Sequence, residues 1–273
     1  MKSRRKFLRN TGFIGLGFMG LKLYAHSDAF SNSTINFDDK FGYGPLVSDP
    51  EGMLDLPEGF SYKVISRQGE TMDDGLLMPG RQDGMATFPS DDGRVIIICN
   101  HELSPSEMGL GAFGHSNVHL KKLAKEDLYD YGNGKMPSLG GTTTLVFNEE
   151  TMEVEKRFLS LAGTNRNCAG GPTPWNSWLT CEEDTTSQGA YDHVEKNHGY
   201  VFEVPATTEI QLNKPVPINA LGRFNHEAVA FDSRTGILYL TEDRYDGLIY
   251  RFVPNVKNDL HSGDRLQALG IKE

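Results

Sequence analysis

Trp178-Leu179-Thr180-Cys181-Glu182-Glu183 is a run of apolar and β-branched residues that ends in carboxylates. The same form occurs at Val95-Ile96-Ile97-Ile98-Cys99-Asn100-His101-Glu102 and at Leu238-Tyr239-Leu240-Thr241-Glu242-Asp243. Short runs of this composition read as strands. Their acidic ends recur at intervals of roughly 60 to 80 residues, longer than the about 40 to 50 of a propeller blade but within reach of blades carrying inserted loops. The expectation is an all-β chain folded as a β-propeller, in which radial sheets bring equivalent strand ends to one central channel. Acids distant in sequence then converge. The plain alternative is that each acid caps a strand at a wet surface, where Asp and Glu are ordinary.

Working outward, further strands are predicted at Tyr62–Ser66, Thr142–Phe147, Glu153–Leu161, Gly199–Val204, Ala228–Asp232 and Leu248–Val253, with the three quoted runs supplying Val95–Asn100, Trp175–Cys181 and Ile237–Thr241. The turn-rich Asn148-Glu149-Glu150-Thr151 makes a hairpin of its two flanking strands. His115 to Tyr131 reads as a short helix or a long excursion. No low-complexity linker divides the chain, which predicts a single domain over 30–273.

Residues 1–29 read as a twin-arginine signal peptide. Ser3-Arg4-Arg5-Lys6-Phe7-Leu8 supplies the basic cluster, and the weakly apolar run from Thr11 to Leu23 follows it, diluted by Gly12, Gly15, Gly17 and Gly20. That run falls short of the roughly 20 apolar residues a membrane span needs, so no stable membrane anchor is expected. Small residues at Ala25 and Ala29 suit cleavage. The partner implied is the twin-arginine export machinery, and the destination is the periplasm or the exterior. Export after folding allows a metal to be inserted in the cytoplasm.

The chain has 27 basic against 37 acidic side chains, a net charge of -10, which makes nucleic acid and anionic membrane surfaces poor partners. An acidic protein that handles phosphate esters needs bound cations to reverse its local potential. The cysteines Cys99, Cys168 and Cys181 are odd in number, so at least one is buried or ligates a metal in an oxidising compartment.

The densest segment is Asn165-Arg166-Asn167-Cys168-Ala169-Gly170-Gly171-Pro172-Thr173-Pro174-Trp175, which runs into the strand ending Glu182-Glu183-Asp184. A cysteine beside several carboxylates suits a metal with one thiolate and oxygen donors; an inert buried thiol is the other reading of Cys168. The triplet Asn-His-Glu occurs twice, at 100–102 and 225–227. Its glutamates, Glu102 and Glu227, suit a hard cation, while its histidines either ligate or pack against backbone carbonyls. Asp83, Asp243 and Asp246 lie in oxygen-rich stretches of the kind calcium favours. Arg244 is placed to grip an oxyanion or to pair with a neighbouring acid. A phosphate-cradling glycine loop entering a helix, a Gly-x-Ser-x-Gly elbow and a His-Glu-x-x-His helix are all missing from the sequence.

Asn167-Cys168-Ala169-Gly170-Gly171 with Thr173-Pro174-Trp175, Trp178-Leu179-Thr180-Cys181-Glu182-Glu183, Asn225-His226-Glu227-Ala228 and Tyr239-Leu240-Thr241-Glu242-Asp243 together resemble the PhoX-type alkaline phosphatases, over nearly the whole chain after the signal. The resemblance implies a six-bladed propeller whose channel holds iron and calcium and cleaves phosphate monoesters. It implies Cys168 as thiolate ligand, Glu183 and Glu227 as carboxylates shared by iron and calcium, Glu242 as a further ligand, and Asp83 and Glu102 nearby. It also implies blades beyond the position of Glu273, so the expectation for this chain is a partial ring. Two other functions stay open: a non-catalytic propeller serving as a binding or assembly module, and a propeller esterase or lactonase, which leaves Cys168 without a role.

Overall fold

The computed structural model describes residues 42–271, so the signal peptide expected at 1–29 lies outside the described residues. The chain divides into two compact units, residues 1–63 and 64–273. In the described part of the first, β1 (Leu46–Val47) pairs antiparallel with β2 (Leu56–Pro57). Asp49 ties the connecting turn by accepting the N–H groups of Leu54 and Met53 and the Tyr62 hydroxyl. Those bonds, Leu54's foremost, hold its carboxyl far below the usual carboxylate range.

The second unit is all-β. Its first sheet follows chain order, β3 (Gln82–Pro89), β4 (Val95–His101), β5 (Gly140–Asn148) and β6 (Glu153–Thr164). The second contains β7 (Asn167–Pro172), β8 (Ser177–Glu182) and β9 (Val201–Pro205). The third contains β10 (His226–Asp232), β11 (Ile237–Glu242), β12 (Ile249–Val256) and β13 (Asp259–Ala268). Neighbouring strands in each are antiparallel, so the described residues form three meander blades of a propeller. The hairpin predicted at Asn148 to Thr151 joins β5 to β6, with Asn148 opposite Glu153. Among the described residues helices are limited to short 3-10 turns. The stretch from His115 to Tyr131 is an excursion of such turns, whose Leu120 and Leu128, with Phe113 just before it, pack with Leu145 and Leu159 of the first blade.

Strand alternation explains how the blades stack. Along β4, Ile96, Ile98 and Asn100 face one way and Ile97, Cys99 and His101 the other. Ile96 and Ile98 join Phe88, Leu161, Trp178, Phe202 and Val204 in the layer between the first and second blades. Leu179, Cys181, Val201, Val229, Leu238, Leu240 and Phe252 fill the layer between the second and third. Each fully buried aliphatic or phenyl side chain contributes roughly 1.5–3 kcal/mol, so these layers hold blade to blade. Asn100, fully buried, stitches the first interface: its amide donates to the carbonyls of Cys168 (3.1 Å) and Ala169 (2.8 Å), and its Oδ1 accepts from Trp178 Nε1 and Thr180 Oγ1, both at 2.8 Å.

Five strands, β1, β2, β3, β7 and β13, lie outside the predicted set, and one predicted strand does not form. β3 and β7 were not predicted because they carry glycine where strand composition calls for branched residues. A Cβ on Gly84 would lie 2.7 Å from Ala169 Cα, and one on Gly171 would lie 2.0 Å from the Val229 carbonyl oxygen. The inner strands of successive blades run that close, and only glycine permits it. β13 escaped because it is a polar outer strand paired only with β12. Tyr62–Ser66, predicted as a strand, belongs to no sheet; its apolar content suits one, but strand formation depends on what lies alongside.

Candidate metal centre

The three blades repeat one local design at their inner ends. Gln82 pairs with His101, Asn167 with Glu182, and His226 with Glu242. After each pair the inner strand takes three residues to reach the next partner while the second strand takes two: Met85 opposite Cys99, Gly170 opposite Thr180, Val229 opposite Leu240. This is a β-bulge, which re-aims the residue inside it. The residues re-aimed are Asp83, Cys168 and Glu227. One residue past each pair on the second strand stand Glu102, Glu183 and Asp243. Their backbone N–H groups donate to the carbonyls of Arg81 (2.9 Å), Arg166 (3.0 Å) and Asn225 (3.1 Å), the residues just before each inner strand. Five carboxylates and a thiol thus occupy two sets of equivalent positions.

Cys168, Glu183 and Glu227 bring one ligand atom each within 4.8 Å of one another. Cys168 is free and buried, with its thiol 3.3 Å from the His226 carbonyl and 3.6 Å from that of Glu227. Burial, then the proximity of Cys181 and Glu227, push this thiol far above its ordinary value. Burial raises Glu227 as well; the Cys168 thiol counters this, while Asp243, Asp83 and Glu102 add to it. Glu183 is raised by burial and by Asp243 against the opposing pull of Arg166. The acids thus raise one another's pKa, and Arg166 offsets this at Glu183. The Oδ1 of Asn225, buried and without a hydrogen bond, adds an idle oxygen just before β10. A thiol among carboxylate oxygens is a donor set suited to a metal ion.

Beneath the centre lies a buried ionic support. Strand alternation turns Glu182 away from Glu183, and its carboxylate accepts from Asn165 N–H (2.9 Å), Gly199 N–H (2.8 Å), Tyr200 N–H (3.1 Å) and His198 Nδ1 (2.7 Å). His198 Nε2 reaches Asp130 at 3.3 Å. Burial alone would lower His198, but Glu182 and Asp130 outweigh it and hold the imidazole at about 10. Sequence reasoning gave His198 and Asp130 no role, and nothing in their local sequence marks them.

Other expected residues fall elsewhere. Glu242 directs its carboxylate to the Tyr250 hydroxyl (2.9 Å) and Leu248 N–H (3.2 Å); alternation sends it away from the centre and puts Asp243 at the position equivalent to Glu183. Arg244 is exposed and approaches Asp246 at 3.5 Å, which is the plain salt-bridge reading of this side chain. The duplicated histidines pack inward. His101 bonds the Gly80 carbonyl (2.8 Å) and Thr143 Oγ1 (2.9 Å), and His226 stacks on Phe224 and reaches the Gly222 carbonyl (3.3 Å). Burial lowers both to about 4, so they are neutral at pH 7.

Fold and inner ends together define a propeller protein whose blades gather acids and a thiol at a common centre. The family model of alkaline phosphatase PhoX matches residues 41–154 and 148–272, and the chain belongs to that family. PhoX of Pseudomonas fluorescens, solved in complex with vanadate, a transition state analogue, shares the fold: TM-score 0.51 and 20% identity over 76% of this chain and 49% of that one. The chain therefore spans about half the length of that relative. A Bacteroides uniformis 6-phosphogluconolactonase candidate aligns with TM-score 0.28 and 11% identity, over 67% of this chain and 55% of its own, and contributes nothing to the assignment. No curated protein matches the chain.

Proposed function

We propose that this chain is an exported, metal-dependent phosphatase that hydrolyses phosphate monoesters at an iron and calcium centre held by Cys168, Glu183 and Glu227, with Asp83, Glu102 and Asp243 around it. The observation that carries the reading is the meeting of one thiol and two carboxylates from successive blades within 4.8 Å. Family membership and the vanadate bound to the P. fluorescens relative support phosphoryl chemistry. Bound cations supply Lewis acidity and the positive charge that an acidic pocket lacks for a phosphate dianion. Cys168 surrenders its proton when the site fills, because a buried thiolate among carboxylates is tolerable only beside a cation. A bound cation would likewise offset the burial that raises Glu183 and Glu227 and favour their ionised forms. The His198 support fixes the strand end from which Glu183 projects, and the glycine-tight inner strands keep Cys168 at a constant distance from Glu227.

The test compares the chain with Cys168→Ser for bound iron and calcium and for turnover of a generic phosphate monoester. The parent is expected to bind both metals and turn over; the variant is expected to lose iron and about 100-fold or more in rate, the scale of a lost electrostatic contributor. Equal metal content and rate in the two proteins contradict the proposal. Metal binding by the parent without turnover would favour a non-catalytic binding module.

Export by the twin-arginine route to the periplasm or beyond rests on Ser3-Arg4-Arg5-Lys6-Phe7-Leu8. Among the described residues no helix is long and apolar enough to cross a membrane. Replacing Arg4 and Arg5 with lysine is expected to leave the protein in the cytoplasm, as read by cell fractionation; undiminished export refutes the assignment.

A further inference from the structure

Arg166 sits in the turn between β6 and β7, two residues before Cys168, and its side chain crosses the acids. A single nitrogen, Nη2, contacts Glu102 Oε1 at 2.6 Å and Glu183 Oε2 at 2.7 Å. The backbone is fixed beneath it: Arg166 N–H donates to the Leu103 carbonyl at 3.0 Å, and its carbonyl accepts from Glu183 N–H at 3.0 Å. Its φ of 46° is in the left-handed region, which a non-glycine residue enters at a cost and which collects at functional sites. The equivalent residue of the first blade, Arg81, shares this backbone with φ of 53° but sends its guanidinium to Glu107. The third blade has Asn225 there. The cation thus belongs to the middle blade, where it spans the carboxylates of two blades.

We propose that Arg166 is a built-in counter-cation that holds Glu102 and Glu183 together until metal ions take them, and that this exchange sets the affinity of the centre for metal. The inference rests on the metal-binding reading above. The side chain is 44% exposed, so it has room to swing into water. A divalent ion on Glu183 would lie within a few Å of the guanidinium and repel it. Metal entry must therefore displace Arg166, and the cost of displacing it is subtracted from the affinity.

Calorimetric titration of the full chain with calcium chloride at fixed ionic strength tests this. Arg166→Gln is expected to bind calcium at least about tenfold more tightly than the parent. Arg166→Lys, which keeps the charge but loses the fork, is expected to fall between them, so the order survives even if the glutamine variant fails to fold. Arg94→Gln is the charge control. Arg94 holds Glu155 bidentately, at 3.0 and 3.1 Å, and lies roughly 25 Å along the strand from Glu102; at that range charges are screened, and the change is expected to stay within about twofold. Equal or weaker calcium binding by folded Arg166→Gln, or by Arg166→Lys if only that variant folds, overturns the role while leaving the metal centre standing. Failure of every form to bind calcium overturns both.

Discussion

Glu182 and Glu183 are adjacent in sequence, and strand alternation separates their tasks. Glu183 enters the acid cluster, whereas Glu182 is fully buried with His198 and Asp130. His198 has a folded pKa of about 10 against an ordinary value of 6.5. Because the folded value is the raised one, the stabilisation is fully present below pH 6.5 and is lost as pH climbs through about 10. His198→Gln leaves buried carboxylates without their cation, which costs about 3 kcal/mol or more at pH 7. Chemical denaturation at several pH values is expected to show the gap between parent and variant closing by pH 10.5. A gap independent of pH would mean that the imidazole is neutral in the fold. Cys168 drew notice in the sequence through its glycine-rich stretch leading to carboxylates, Glu227 through the repeated Asn-His-Glu triplet, and Glu183 through its place at the end of an apolar run. Arg166 did not, since its role depends on two carboxylates that only folding brings to it.

At the scale of the strand, the bulges in β3, β7 and β10 convert sequence position into geometry. They swing Asp83, Cys168 and Glu227 off the regular pleat, and glycines near the first two, Gly84 and Gly171, let the inner strands close up. Gly171→Ala puts a methyl 2.0 Å from the Val229 carbonyl oxygen, and neither backbone can give way without shifting a blade. The expected loss is about 3 kcal/mol, toward the upper end for overpacking, read as a lower denaturation midpoint with an unchanged slope. Stability equal to the parent's would mean that the second and third blades are not in such close contact. The same crowding explains which strands were readable. β4 and β8 are buried along most of their length and announce themselves as apolar runs, and β11 does so through Leu238 and Leu240 although Tyr239 and Thr241 are exposed, whereas β3 and β7 exchange side chains for proximity and lose the signal. One residue along a strand reverses the face, so Glu242 meets the Tyr250 hydroxyl while its neighbour Asp243 lies near Glu183 and Glu227.

Across the molecule, the inner ends of three sheets gather the carboxylates of Asp83, Glu102, Glu183, Glu227 and Asp243, and Arg166 spans two of these blades through Glu102 and Glu183. The expectation of convergent acids followed from the repeat of apolar runs ending in carboxylate, so the fold and the gathering of acids were readable from the same feature. The bulge register that makes the three blades equivalent was not, because a bulge is a relation between strands rather than a property of either. Iron K-edge X-ray absorption on the iron-loaded chain tests most directly whether these inner ends form one metal centre. A sulfur neighbour bonded to iron in the parent and missing from Cys168→Ser is the expected result. A spectrum of oxygen and nitrogen neighbours alone, identical in the two proteins, would contradict it.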